Sequence, residues 1–314
     1  MARPAPLVSV GLPVYNGENF VAEAIQCVMA QSFPDWELII SDNASTDRTV
    51  SLCRQFAAHD SRISVFQNER NLGVAPNYNR VFELSRGRYF AWLAHDDFWD
   101  PEFLARCLEE LERDEDLPLV FPKVAFVDAQ RRPLRGQESD LSVFGATAVS
   151  RVCRLLQLER RSNDIFWSQF GLIRRRTLEQ THLMNPYNGS DQVLLLEIAL
   201  RGALKQIDAE LFFRREHPQA STIRRNWDAR DRARFQYADD QRVLVFPNWR
   251  LLGEHLLCIW SSSLPAAGKM QCTAEILRRF SGRWKDLVLE LTTTSLDGLR
   301  MLPALLGTSR IHSA

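Results

Sequence analysis

The feature that most constrains this chain is a repeated change of hydrophobic period in its first 130 residues. Five short runs are apolar and rich in β-branched side chains: residues 7–13 (LVSVGLP), 36–42 (WELIISD), 63–68 (ISVFQN), 89–97 (YFAWLAHDD) and 119–128 (LVFPKVAFVD). Helical spacing separates them. Within residues 18–31, Phe20, Val21, Ala24, Ile25 and Val28 share one face. Residues 46–58 and 101–113 read likewise, the latter opened by Asp100 as N-cap and Pro101 at the first helical position. Short apolar strands alternating with helices predict a parallel sheet covered on both faces. Ligands of such sheets bind beyond the carboxyl ends of the strands.

Four polar loops are expected at that edge: residues 13–17 (PVYNG), 42–47 (DNASTD), 68–73 (NERNLG) and 95–97 (HDD). Four at one edge make a site. The usual phosphate-holding signatures are missing: no GxGxxG follows the first strand and no GxxxxGK[ST] occurs. Neither HExxH nor GxSxG is present.

Charge divides the chain. Residues 1–150 hold 14 Lys and Arg against 22 Asp and Glu, and the remainder holds 25 against 17. The acidic half suits cation or sugar chemistry, and the basic half an anionic partner. No stretch interleaves basic and aromatic residues at a nucleic-acid module's spacing, so no nucleic-acid partner is expected. The six cysteines are scattered without CxxC pairs, which suits buried thiols in a reducing, cytoplasmic setting rather than zinc or disulfides. The N-terminus lacks a signal-peptide apolar region, and no run of about 18 uncharged apolar residues would span a membrane.

Farther on, Asn188-Gly189-Ser190-Asp191 precedes a clear helix over residues 192–201 that ends at Gly202. Residues 204–217 read as a strand closing on Arg214-Arg215-Glu216-His217, and the pattern is helical from about Asn226.

The stretch VSVGLPVYNGENFVAEAIQCVMAQSFPDWELIISDNASTD, followed by NLGVAPNYN and LAHDDFWDP, resembles family 2 glycosyltransferases. The resemblance covers roughly residues 7–220. It implies a GT-A type α/β fold: a Rossmann-like, mostly parallel sheet flanked by helices, with a C-terminal helical extension. It also implies a GT-A domain over residues 1–225, with a nucleotide-binding half to about 130 and an acceptor half beyond it, then an extension over 226–314. Asp42 matches the carboxylate that accepts the uracil imide N–H, and its alternative is to cap the turn with Ser45 and Thr46. Pro13, Tyr15 and Asn16 match the loop over the nucleoside, and Asn71 and Asn77 the positions flanking ribose and diphosphate. Turn and cap roles remain open for both asparagines.

The family's Asp-x-Asp triplet falls on Ala94-His95-Asp96, so one carboxylate of the pair is kept. Mg²⁺ or Mn²⁺ on a diphosphate draws most of its ligands from phosphate and water, so Asp96 alone is chemically adequate. His217 matches a histidine that reaches the metal or pyrophosphate. Asp97 supports Asp96 or meets a sugar hydroxyl, and Arg174 borders the acceptor. Asp191 matches the general base, although an N-cap role is compatible with the same position.

The implied reaction is an inverting, non-processive transfer of one sugar from a nucleotide-sugar, UDP-linked, to a glycan or lipid-linked acceptor. A non-catalytic nucleotide-sugar-binding domain is the alternative, with Ala94 as its argument. The tail, including RRFSGRWKDLVLELTTTSLDGLRML, reads either as an interfacial helix at the inner face of a membrane or as an appendage packing on the core or on a second copy.

Overall fold

The computed structural model of the chain describes residues 4–220 and 246–298. Strands β1 (Val8–Val14), β2 (Trp36–Asp42), β3 (Ile63–Gln67) and β4 (Tyr89–Trp92) run parallel in the order β3-β2-β1-β4. Every residue of β1, β2 and β4 is buried, which is why these strands read as continuous apolar runs. The helices between them are α1 (Val21–Met29), α2 (Thr49–His59) and α3 (Val74–Glu83). The chain leaves β1 toward β2 and β3, then crosses to β4 on the other side of β1. The topological switch point therefore lies between β1 and β4.

The strand expected over residues 89–97 stops at Trp92. Leu93 N–H still donates to the Gly11 carbonyl, but Asp97 N–H donates to the Ala94 carbonyl and closes a turn. The polar triplet thus leaves the ladder and stands at its end. A short β5 (Phe98–Trp99) follows, then α4 (Phe103–Arg113). The helix starts two residues later than predicted. Asp100 nevertheless caps the turn, its Oδ1 accepting from Glu102 N–H at 2.9 Å.

The rest of the sheet comes from β6 (Leu119–Asp128), β7 (Pro133–Arg135), β8 (Leu172–Arg174) and β9 (Leu204–Glu216). The path is β3-β2-β1-β4-β8-β6-β9-β5, with β7 against β6. β8 is antiparallel to β4 and β6, and β6 and β9 run parallel. One mixed nine-stranded sheet therefore passes through both expected halves. Helices α5 (Ala148–Arg161), α6 (Arg175–Leu178) and α7 (Ser190–Arg201) cover the second half, with a 3-10 turn over Asn163–Phe170. The predicted helix before Gly202 and the predicted strand from Leu204 both form.

The described part of the tail is helical: α8 (Pro247–Ser261), α9 (Ala266–Ser281) and α10 (Trp284–Gly298). Residues 226–245 and 299–314 of the expected extension lie outside the described residues. Among the described residues no helix is long and apolar enough to cross a membrane.

Candidate active site

The carboxyl edge near the switch point carries buried polar atoms that packing alone does not require. Asp42 ends β2 fully buried. Its Oδ2 accepts from Ser45 N–H at 3.1 Å, while its buried Oδ1 meets no partner among the described residues. An unsatisfied buried carboxylate oxygen is costly, so this one is poised for a ligand donor. The adjoining loops are tied together. Asn16 Oδ1 accepts from Thr46 N–H at 2.9 Å, and Ser45 Oγ accepts from Asn16 N–H at 2.9 Å. Asn16 and Ala44 both have positive φ, of 50° and 61°. Such backbone strain at a ligand-facing edge is characteristic of functional loops. Pro13 is buried within β1, and Tyr15 is 43% exposed above the edge, free to lie against a base. A Cβ on Gly17 would come within 2.5 Å of the His95 ring, so the glycine lets the two loops close on each other.

Asn71 and Asn77 differ. Asn71 is half-buried at the rim, its Oδ1 accepting from Asn43 Nδ2 and from Gly73 N–H, both at 2.8 Å. Asn77 is buried and its amide is engaged through both its oxygen and its nitrogen. Its Oδ1 accepts from Ser41 Oγ at 2.7 Å and Asn68 Nδ2 at 3.0 Å, and its Nδ2 donates to the Ser41 carbonyl. Asn77 thus braces the strand end from within. Asn43 and Asn68 complete this network, Asn68 Nδ2 donating to Asn43 Oδ1 at 3.0 Å; neither was singled out from the sequence.

The second cluster answers to the HDD stretch. Asp96 Oδ2 lies 3.0 Å from His217 Nε2, so the chain ends of β4 and β9 bring the two candidate cation ligands together. His217 is 7% exposed, its ring tilts against Phe20, and its Nδ1 is buried without a partner among the described residues. Asp97 is fully buried. Its Oδ1 accepts from Arg214 Nη1 at 3.0 Å and Arg215 N–H at 2.9 Å, and its Oδ2 is buried and unpartnered. Arg215 in turn pairs with Glu23 at 2.6 Å and donates to the Asp96 carbonyl at 2.9 Å. Burial works against ionisation of both carboxyls. At Asp96 the charges of His95, Arg214 and His217 and the His217 hydrogen bond outweigh it and hold the carboxyl well below the usual range. At Asp97 burial and the neighbouring Asp96 charge prevail over Arg214 and push it up.

Among the described residues no three His, Cys, Asp or Glu side chains form a cation-holding group. Asp96 and His217 offer one carboxylate and one imidazole with an unpartnered nitrogen. That donor set suits a cation whose remaining ligands belong to something else.

Asp191 sits in the first turn of α7, after Gly189 in the left-handed conformation (φ 87°). It is half-buried, and Gln169 Nε2 donates to its Oδ2 at 3.4 Å. Burial raises its carboxyl, opposed by helix-terminal N–H groups, Arg279 and Gln169. Tyr78, on α3, links the two sides. Burial raises its hydroxyl, and the charges of Asp96, Asp97, Arg214 and Asp191 all reach it. Neither Tyr78 nor Gln169 was singled out from the sequence; Tyr78 lies inside the quoted NYN run between two asparagines.

Arg174 is a correction. It pairs in register with Tyr89 at the opposite edge of the sheet, and it is buried. Its guanidinium donates to the carbonyls of Leu111, Asp114 and Leu117 and to the Tyr89 hydroxyl. It ties the end of α4 to β8 and does not border an acceptor.

The sequence of residues 9–181 matches the family model described as glycosyl transferase family 2. A putative teichuronic acid biosynthesis glycosyltransferase, TuaG of Bacillus subtilis, is 41% identical over 109 residues, which is 35% of this chain and 43% of that protein. Chondroitin synthase of Escherichia coli is 30% identical over 128 residues, 41% of this chain and 18% of that one. The chain thus matches less than half the length of these relatives. Among solved structures, S. aureus TarS 1-349 in complex with UDP-GlcNAc superposes with a TM-score of 0.66 at 18% identity, over 87% of this chain and 72% of that one. The mannosyltransferase PcManGT of Pyrobaculum calidifontis, in complex with GDP-Man and Mn²⁺, gives 0.51 at 15% identity, over 94% and 81%. The doubly wound sheet, its GT-A type neighbours and the family match over more than half the chain agree: this protein belongs to glycosyl transferase family 2.

Proposed function

We propose that the chain moves one sugar per encounter from a UDP-sugar to a hydroxyl of a glycan or lipid-linked acceptor, inverting the anomeric carbon. The observation that carries this reading is Asp42, whose buried Oδ1 has no protein partner at a strand end beside the switch point. A carboxylate there suits the imide N–H that uracil has and cytosine lacks. Two TarS structures hold UDP-GlcNAc and UDP, which supports the same donor class for this chain.

On this reading Asp191 removes the acceptor hydroxyl proton as that oxygen attacks the anomeric carbon. The bond to the nucleoside diphosphate breaks on the opposite face, and the diphosphate departs. Burial raises the Asp191 carboxyl above the ordinary aspartate value, which makes its carboxylate a stronger base than a free aspartate. Asp96, with His217 beside it, would hold a Mg²⁺ or Mn²⁺ ion that completes its oxygen shell from diphosphate and water. When bound, such a cation neutralises charge on the departing diphosphate. Arg214 and Arg215 fix Asp97 and the Asp96 backbone, so the ligand-facing carboxylate keeps its orientation. Tyr15 stacks on the base. A lipid-linked acceptor would place the work at the cytoplasmic face of a membrane, with Trp249, Trp260 and Trp284 of α8–α10 as exposed contacts.

Ala94, in place of the first carboxylate of the triplet, favours a second reading as a non-catalytic nucleotide-sugar-binding domain. Calorimetric titration with UDP, GDP and TDP, each with and without Mn²⁺, separates the two. Tight UDP binding that needs the metal and disappears in Asp96→Ala supports the enzyme reading. Metal-independent UDP binding favours the binding domain, and no binding of any nucleotide would sink both.

A further inference from the structure

The C-terminal helices are built onto the turn that carries Asp191. Leu251 of α8 packs on Gly189, where a Cβ would meet its methyl groups at 3.0 and 3.1 Å. Arg279 of α9 reaches the residue beyond Asp191, its Nη2 donating to Gln192 Oε1. On its other side Arg279 Nε pairs with Glu159 of α5 at 2.7 Å, with the two side chains 3% and 0% exposed. Its Nη1 is buried and meets no partner among the described residues. A buried ion pair of this kind contributes little to stability compared with apolar side chains of similar volume, so folding alone does not call for it.

From this geometry we propose that the C-terminal helices complete the acceptor side of the site, with Arg279 as a positioning residue that holds the Asp191 turn through Gln192 and lends it a positive charge. The proposal rests on Asp191 as general base. The guanidinium pairs with Glu159 and acts on Asp191 through space. Burial first, and then the charge of Asp191, push Glu159 up to about 7 despite Arg279. Below that pH Glu159 carries a proton and no longer offsets the Arg279 charge felt by Asp191. The other groups around the turn are Gln169 from the 3-10 turn, Tyr78 from α3, Arg283 beyond α9 and His255 from α8. His255 is buried neutral, its imidazole pushed down to about 3 by burial and by Arg279. Among these groups Arg279 is the cation that acts on Asp191 most directly.

The test is the titration of Asp191 itself in the full chain, followed by carbon NMR with labelled aspartate carboxyls, Asp191→Asn identifying the resonance. In Glu159→Gln/Arg279→Met, which removes both charges together, the Asp191 midpoint should rise by about one pH unit. Arg279→Lys, which keeps the charge, should stay close to the parent. Should the double variant fail to fold, Arg279→Gln carries the same test, because a protonated Glu159 can accept the neutral partner. A midpoint within about 0.2 unit of the parent in the folded variant would overturn the proposal. The base assignment fails separately: sugar transfer that survives Asp191→Asn removes it and leaves the midpoint shift standing.

Discussion

The sheet and the C-terminal helices hide and expose opposite things. In residues 4–220 only Tyr15, Leu134 and Phe144 are exposed large apolar side chains, whereas nine such residues lie between Trp249 and Leu291. The sheet instead keeps unpartnered polar atoms at one edge, on Asp42, Asp97 and His217. The helices bury few polar side chains, His255, Glu275 and Arg279, the last paired with Glu159 of α5, and turn apolar faces outward. The lesson is that function is written in different places in the two regions. On the proposed reading it lies, at the sheet edge, in polar atoms that have given up protein partners, and, in the helices, in a buried charge beside the Asp191 turn.

The largest effect that sharpens this contrast is expected at the boundary between the regions. Asp191→Asn removes the carboxylate proposed as the base and should lower the rate of sugar transfer by about 10²–10⁴-fold. Nucleotide affinity, assigned to the sheet edge in the proposed site, should stay within about twofold by calorimetry. Equal losses in rate and affinity would erase the distinction.

Packing separates the regions next. Ile40 is fully buried in β2, and Ile40→Ala should cost about 3 kcal/mol in chemical denaturation. The pH dependence of stability should in turn point to the helices. His255 has a folded value near 3, below its ordinary 6.5, so the unfolded chain takes up the proton first. The stability it contributes is therefore complete above pH 6.5 and falls away as pH drops toward 3. His255→Leu should flatten the unfolding midpoint over that window, and an unchanged slope would place the acid sensitivity elsewhere. The smallest effect belongs to the exposed face. Leu257, 65% exposed on α8, should tolerate Leu257→Ser within about 0.5 kcal/mol. A large loss there would mean that this face is covered in solution and would break the comparison outright.

Much of the first region was legible because its signals are local. A strand buried on both faces reads as an apolar run, and a carboxylate at its end interrupts the run visibly, as at Asp42 and Asp96. The helix before Gly202 announced itself by period and cap. Arg174 shows where that reading ends. Three arginines after an aromatic run gave no means of telling which one faces the site, and register put Arg174 opposite Tyr89 at the far edge. Asn77 shows the same limit: a turn, a cap, a ligand contact and a buried brace all use asparagine.

By itself the sequence determined the strand–helix alternation and the polar loops at one edge, because these follow from neighbours a few residues away, and its resemblance to the family offered Asp42, Asp96, His217 and Asp191 as candidates. Only the tertiary structure decided that His217 lies 3.0 Å from Asp96, 121 residues earlier in the chain, and that Arg279 reaches Gln192 across 87 residues. Those pairings depend on strand order and on how helices pack. A pattern of period and polarity fixes which face a residue takes, and the folded packing chooses what that face meets.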